Sequence, residues 1–244
     1  MIFTTMCMSV SAEGEDNVAY RIYVSVTGND STGDGTASNP YATIYHANET
    51  ITDAGKMKRY IIHVADGTYT DLQTRYSGIA GSNYQGVICK DYVSYIGNVA
   101  NPAACILQWD GATGFSTVAE SDISWKGIFH ILQSLDTKSL HTEIAGFTID
   151  ATNTRYCQHI EMSGYGYGVE WYIHDCVFAW HGQPALNNPS YSPACIGTGC
   201  GLFESGRIER CIINANEGLV NGYVNHDSTN RYSGYSTVKP GADI

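Results

Sequence analysis

Basic residues are scarce in this chain: 13 Lys+Arg stand against 24 Asp+Glu over 244 residues, a formal net charge of -11. A surface of that sign repels a nucleic-acid backbone and an anionic membrane, which removes both as main partners. Long apolar runs are missing too, and none approaches the roughly 18 residues of a membrane-spanning helix. The eight cysteines include no CxxC pair, which leaves zinc-ribbon and thioredoxin chemistry without a foothold. Helical periodicity is nearly absent: past residue 56 no apolar pattern at i, i+3, i+4 returns. What the chain has instead is 26 Gly and 18 Tyr, the composition of a β-rich, turn-rich protein, read here as one elongated domain.

Residues 1–19 form an N-terminal segment, a signal or a linker: a short apolar centre precedes Val10-Ser11-Ala12, a step like a signal-peptidase site, without a positive flank. Residues 20–56 read as a strand followed by a capping helix. Asn39 is expected to cap it, Pro40 to open it and Gly55 to end it, with Ile44, Ala47, Ile51 and Ala54 on the buried face. Between strand and helix, DSTGDG from Asp30 looks briefly like a calcium loop. Tyr41 stands where the bidentate Glu belongs, so a plain turn is the reading and no cofactor is assigned with certainty, calcium staying possible. Residues 57–225 supply short strands, and 226–244 are a polar tail or incomplete last turn whose exposed edge would be closed by more chain or by a partner.

A weak repeat organises the second half. IAGFTIDA from Ile144, IHDCVFAW from Ile173 and IERCIINA from Ile208 superpose without gaps. In each copy the first Ile points inward, position 146, 175 or 210 makes a bend, and the pairs Phe147 and Ile149, Cys176 and Phe178, Cys211 and Ile213 point inward again. Three short strands per repeat with variable connections describe a coil of parallel strands, a β-propeller or sandwich being the alternatives. On this reading His174-Asp175-Cys176 is a corner and not a catalytic triplet, because successive side chains of a strand point to opposite faces. Cys176 and Cys211 stack in the core as small hydrophobes, in a ladder geometry poor for a disulfide.

The stretches YVSVTGNDSTGDGTASNPYATIYHA, HVADGTY, YVSYIGN, GFTID, DCVFAWHG and RCIINAN, in this order, resemble the pectin-lyase-like right-handed parallel β-helix superfamily over roughly residues 20 to 220. A second likeness is to bacteriophage tailspike and related virion β-helices. The resemblance implies an all-β, right-handed parallel β-helix with three short strands per coil and an N-terminal capping helix. It further implies an extracellular or virion protein that binds polysaccharide or another glycan, with a homotrimer or larger virion assembly as partner. The residue patterns of pectin methylesterases, pectate lyases and polygalacturonases are not found, so cleavage by a lyase or hydrolase mechanism is not carried over, and a noncatalytic structural or adhesin module is the alternative.

Candidate chemistry follows from strand parity. If Ile160 and Met162 of QHIEM point inward, His159 and Glu161 point outward together, with His130 of IFHI stacked near His159, and a His beside a Glu can serve as base and orienting partner. An exposed polar strand face is the plainer reading. Tyr165, Tyr167, Trp180 and His181 belong to the densest aromatic region and are the candidates for sugar contact, whereas Trp171 is inward by parity with Ile173. Glu170 and Glu209 are further outward carboxylates, with Asp175 at the bend between them, at a spacing that glycoside hydrolysis uses, although a parallel coil places many outward residues this close by construction. The connection 181–201 is the longest excursion and the favoured location for a binding surface.

Overall fold

The computed structural model describes residues 19–70, 75–79, 82–108, 126–133, 141–150, 158–164, 170–180, 196–198 and 205–215. They form β1 (Tyr20–Val24), α1 (Ile44–Thr50), β2 (Tyr60–Val64), β3 (Gly67–Tyr69), β4 (Arg75–Ile79), β5 (Ser82–Ile88), β6 (Val93–Ile96), β7 (Cys105–Gln108), β8 (Lys126–Gln133) and β9 (His141–Ala145). Then follow β10 (Thr148–Asp150), β11 (Gln158–Gly164), β12 (Glu170–His174), β13 (Val177–Trp180), β14 (Ile196–Thr198), β15 (Ser205–Glu209) and β16 (Ile212–Ala215).

The architecture is all-β with parallel sheets and few helices. From β2 onward the chain visits three sheets in rotation, giving a six-stranded sheet β1-β2-β6-β9-β12-β15 and a five-stranded sheet β3-β7-β10-β13-β16. A second five-stranded sheet runs β4-β5-β8-β11-β14. Every strand pairing is parallel except the β4–β5 hairpin.

In-register parallel pairing places like residues in columns about 4.8 Å apart. One column runs Ile22, Ile62, Tyr95, Ile144, Ile173, Ile208. A second runs Tyr69, Leu107, Ile149, Phe178, Ile213. A third holds Val87, Phe129 and Ile160. Apart from Ile22 and Ile208, which are partly buried at the ends, these side chains are buried. Each contributes about 1.5–3 kcal/mol by leaving water, which makes the columns the main stabilising feature. The inward positions expected from the repeat, including Phe147, Cys176 and Cys211, are in this core, with Ile208 packed against it.

The N-terminal helix is shorter than expected. It begins at Ile44, not after Asn39, because the Asp30 carboxylate accepts from the amides of Ala42 and Thr43, at 2.7 and 3.1 Å, and from the Thr43 hydroxyl. Thr43 then caps the helix by accepting from the His46 amide. DSTGDG is thus a turn whose acid serves the backbone. Ile44, Ala47 and Ile51 are buried as the spacing requires. Asn48 locks the helix onto the sheets: its amide donates to the Ile88 carbonyl, and its side-chain oxygen accepts from the Tyr95 hydroxyl at 2.5 Å. The Lys90 ammonium donates to the carbonyls of Asn48 and Ile51.

Candidate functional site

Strand alternation leaves two rows on the outer face of the six-stranded sheet. One is Arg21, Ile61, Ser94, Glu143, Tyr172, Arg207; the other is Tyr23, His63, Ile96, Ala145, His174, Glu209. The first three strands carry mainly apolar and aromatic groups there, with Tyr23 stacked on His63 at 5.3 Å. Charge gathers at the far end, on β9, β12 and β15.

The corners after those strands decide the chemistry. Each is two residues long and starts with a left-handed residue: Gly146 at φ 75°, Asp175 at φ 50° and Arg210 at φ 51°. The bend expected at these three positions is therefore present. Left-handed backbone is uncommon for non-glycine residues and costs about 1–2 kcal/mol. Here it breaks the in-out alternation on which the sequence reading relied. Asp175 does not oppose His174: its carboxylate swings back to the outer face and meets the His174 Nδ1 at 2.6 Å, while Cys176 turns into the core. The triplet is a corner and, for two of its three members, also a cluster.

Around that corner the partners close a network. His174 Nε2 lies 2.9 Å from Glu143 Oε1. Arg210 grips Asp175 in a two-pronged bond, Nε to Oδ1 at 2.7 Å and an Nη to Oδ2 at 2.6 Å. Glu209 accepts from the Tyr172 hydroxyl at 2.7 Å, from Arg207, and from Arg210 at 3.2 Å. The Tyr172 ring stacks on His174 with centroids 4.1 Å apart, and the Arg207 guanidinium lies over it at 5.3 Å.

The bidentate Arg210 guanidinium is the main reason the Asp175 carboxyl falls to about 2. Its proximity to Asp175 in turn raises Arg210. Glu209 is lowered, first by the Tyr172 hydroxyl and then by Arg207. Asp175 and Glu209 are thus ionised acceptors at neutral pH, and nothing about their surroundings would hold either as a general acid. Among the described residues no group of three or more His, Cys, Asp and Glu has the geometry to hold a metal ion.

The expected His159 and Glu161 pair is placed differently. His159 is fully buried, its Nε2 is 2.8 Å from the Ala179 carbonyl, and its ring meets Phe178 edge-on at 5.6 Å. The solvent-facing position expected for it is not found: the ring is covered and packs against Phe178 of the neighbouring sheet. His130, also buried, pairs in register with Glu161 and not with His159, so the expected histidine stack is one residue out. Trp171 is partly buried against the core, in keeping with its expected inward parity. Trp180 closes β13 opposite Ala215, and Glu170 opens β12 opposite Ser205. Tyr165, Tyr167 and His181 lie outside the described residues, as does most of 181–201. Glu143 and Arg207 were not singled out from the sequence, Tyr172 only as part of the aromatic region and Arg210 only as a bend; the register of the repeat sets 143, 172 and 207 in one row.

No family model matches the chain, and no curated protein matches it. Among solved structures, one described as a rhamnogalacturonan lyase is similar at a TM-score of 0.41 and 16% identity, over 80% of this chain and 53% of that one. The chain spans about half the length of that protein.

Proposed function

We propose that this chain is a right-handed parallel β-helix, extracellular or borne on a virion, that binds a polysaccharide along the outer face of its six-stranded sheet. The rotation of the chain through three parallel sheets supports the fold. The handedness follows from the strong right-handed preference of parallel crossovers.

The observation that carries the function is the linear arrangement of that face. Two rows of outward side chains run across six strands at a pitch of about 4.8 Å. Such an array suits an extended repeating polymer better than a compact ligand. Its charged end offers donors and acceptors side by side, Arg207 and Tyr172 beside Glu143 and Glu209, which is what a polyhydroxylated chain needs. The net charge of -11 argues against the other common linear polymer, nucleic acid. Glycosidic hydrolysis needs a carboxyl kept protonated, and the two acids at this corner with a resolved direction are both shifted the other way. We therefore assign binding to this face, with neither Asp175 nor Glu209 as the general acid of a hydrolase.

Affinity electrophoresis in gels cast with pectins, other uronates, capsule glycans and neutral polysaccharides tests the reading. The wild-type chain is expected to be retarded by at least one polymer, and Tyr172→Ala and Glu143→Ala to weaken that retention about tenfold, a loss of about 1.4 kcal/mol. Mobility unchanged by every polymer would leave the structural or adhesin module. The same panel, read for reducing ends and unsaturated products with and without calcium, tests cleavage; Glu161→Ala is the first variant to compare there. Light scattering of the purified chain tests assembly into a homotrimer.

A further inference from the structure

We propose that Cys176 and Cys211 are a cross-linking site, at which a two-electron oxidation joins Sγ to Sγ and staples two successive corners of the core together. Each cysteine immediately precedes a strand, and those strands pair Val177 with Ile212. The cysteines are therefore in-register neighbours with Cα atoms about 4.8 Å apart, inside the window of about 4.4–6.8 Å that disulfides occupy.

Their side chains point the same way. The Cys176 sulfur lies 3.3 Å from the His174 carbonyl and 3.8 Å from that of Ile144; the Cys211 sulfur lies 3.4 Å from the Glu209 carbonyl and 3.9 Å from that of Ile173. Cys211 thus leans toward the circuit that carries Cys176. Their mutual interaction is the largest influence on both thiols, raising Cys176, which keeps its proton, and lowering Cys211 toward the thiolate. A thiolate beside a thiol is the arrangement from which disulfide exchange starts.

The strand ladder expected from the sequence disfavours a disulfide. These cysteines instead follow the left-handed Asp175 and Arg210 and lie just outside the regular strands, at the corners. The other described cysteines are differently placed. Cys105 belongs to the same column, but Phe147 stands between it and Cys176, and Cys89 follows β5 in another sheet.

With a small disulfide such as oxidised glutathione as oxidant, the Cys211 thiolate attacks it and releases one glutathione thiolate. Cys176, losing its proton, then attacks the mixed disulfide and releases the second. Two protein thiols and one oxidised glutathione give one protein disulfide and two reduced glutathiones. Both thiols are buried, so the reaction proceeds through local opening of the corner. The closed loop spans 35 residues, 211 minus 176.

The test is incubation of the full chain in glutathione redox buffers at a temperature below unfolding, quenching with iodoacetamide, and peptide mass mapping without reduction. The expected result is a Cys176–Cys211 linked peptide and a melting temperature higher by roughly 5–15 °C. Dithiothreitol should reverse both, and Cys211→Ser and Cys176→Ala should abolish both, while Cys105→Ser leaves the linkage in place. The proposal is overturned if Cys176 or Cys211 pairs with a different cysteine, if both stay alkylatable while other cysteines oxidise, or if the linked form melts lower than the reduced one.

Discussion

The corner at His174-Asp175 and the strand around His159-Glu161 are built from the same residue types, and the fold uses them in opposite ways. At the corner, one left-handed residue turns neighbouring side chains onto one face, and His174, Asp175 and Arg210 gather outside the sheet. In the strand, regular pairing holds, yet the His159 ring is buried against Phe178 and tied to the Ala179 carbonyl. The comparison teaches that parity says which residues of an extended strand share a face. It does not say which face meets water, and it lapses wherever the backbone leaves the extended region.

The largest effect should come from the buried side of the comparison. Phe178→Ala empties a core column and removes the ring against which His159 rests. It is expected to cost about 3–5 kcal/mol in chemical denaturation. A loss under about 1 kcal/mol would mean that the column is not the stabilising feature described above.

Next are the corners. Gly146 sits at φ 75°, and an added Cβ would lie 2.5 Å from the Val99 nitrogen and 2.7 Å from the Asn98 carbonyl carbon. Gly146→Ala should cost at least the roughly 1–2 kcal/mol of left-handed backbone. Asp175→Gly at the equivalent position relieves that strain while losing the Arg210 pair, so its cost in the same denaturation experiment should be smaller. The reverse order would show that the corners are not equivalent.

A finer effect is the response to acid. Because the Asp175 carboxyl is lowered to about 2, chiefly by Arg210, its contribution to stability is present above the unfolded carboxylate range near pH 4 and is lost as pH falls through about 2. The melting temperature of the wild type should therefore drop between pH 4 and pH 2 more than that of Arg210→Ala. Parallel curves for the two proteins would contradict the ion pair.

The smallest effect on stability is expected at Arg207, whose side chain is 70% exposed. Arg207→Ala should shift the melting temperature by no more than about 1–3 °C, yet weaken polysaccharide retention. Equal loss of both would make this end of the face structural and not a binding surface.

Much of the core was legible because burial columns repeat. The spacing of Ile144, Ile173 and Ile208, and of Phe147, Cys176 and Cys211, carried enough periodicity to give both the parallel stacking and the inward positions. The helix start was misread because Asn39-Pro40 has good local cap chemistry, which lost to a long-range competitor, Asp30, holding the amides of Ala42 and Thr43. Much of the candidate site was illegible. Glu143 and His174 are 31 residues apart and His174 and Arg210 are 36 apart, and no local pattern links them.

The amino-acid sequence by itself determined the class of this protein: apolar residues at strand spacing, with glycine and tyrosine in place of helix formers. Those properties are additive along the chain, so they survive without coordinates. Which partners each histidine meets and which acid meets which arginine were decided only by the tertiary structure. Each depends on the register between distant strands and on the backbone angle of one corner residue.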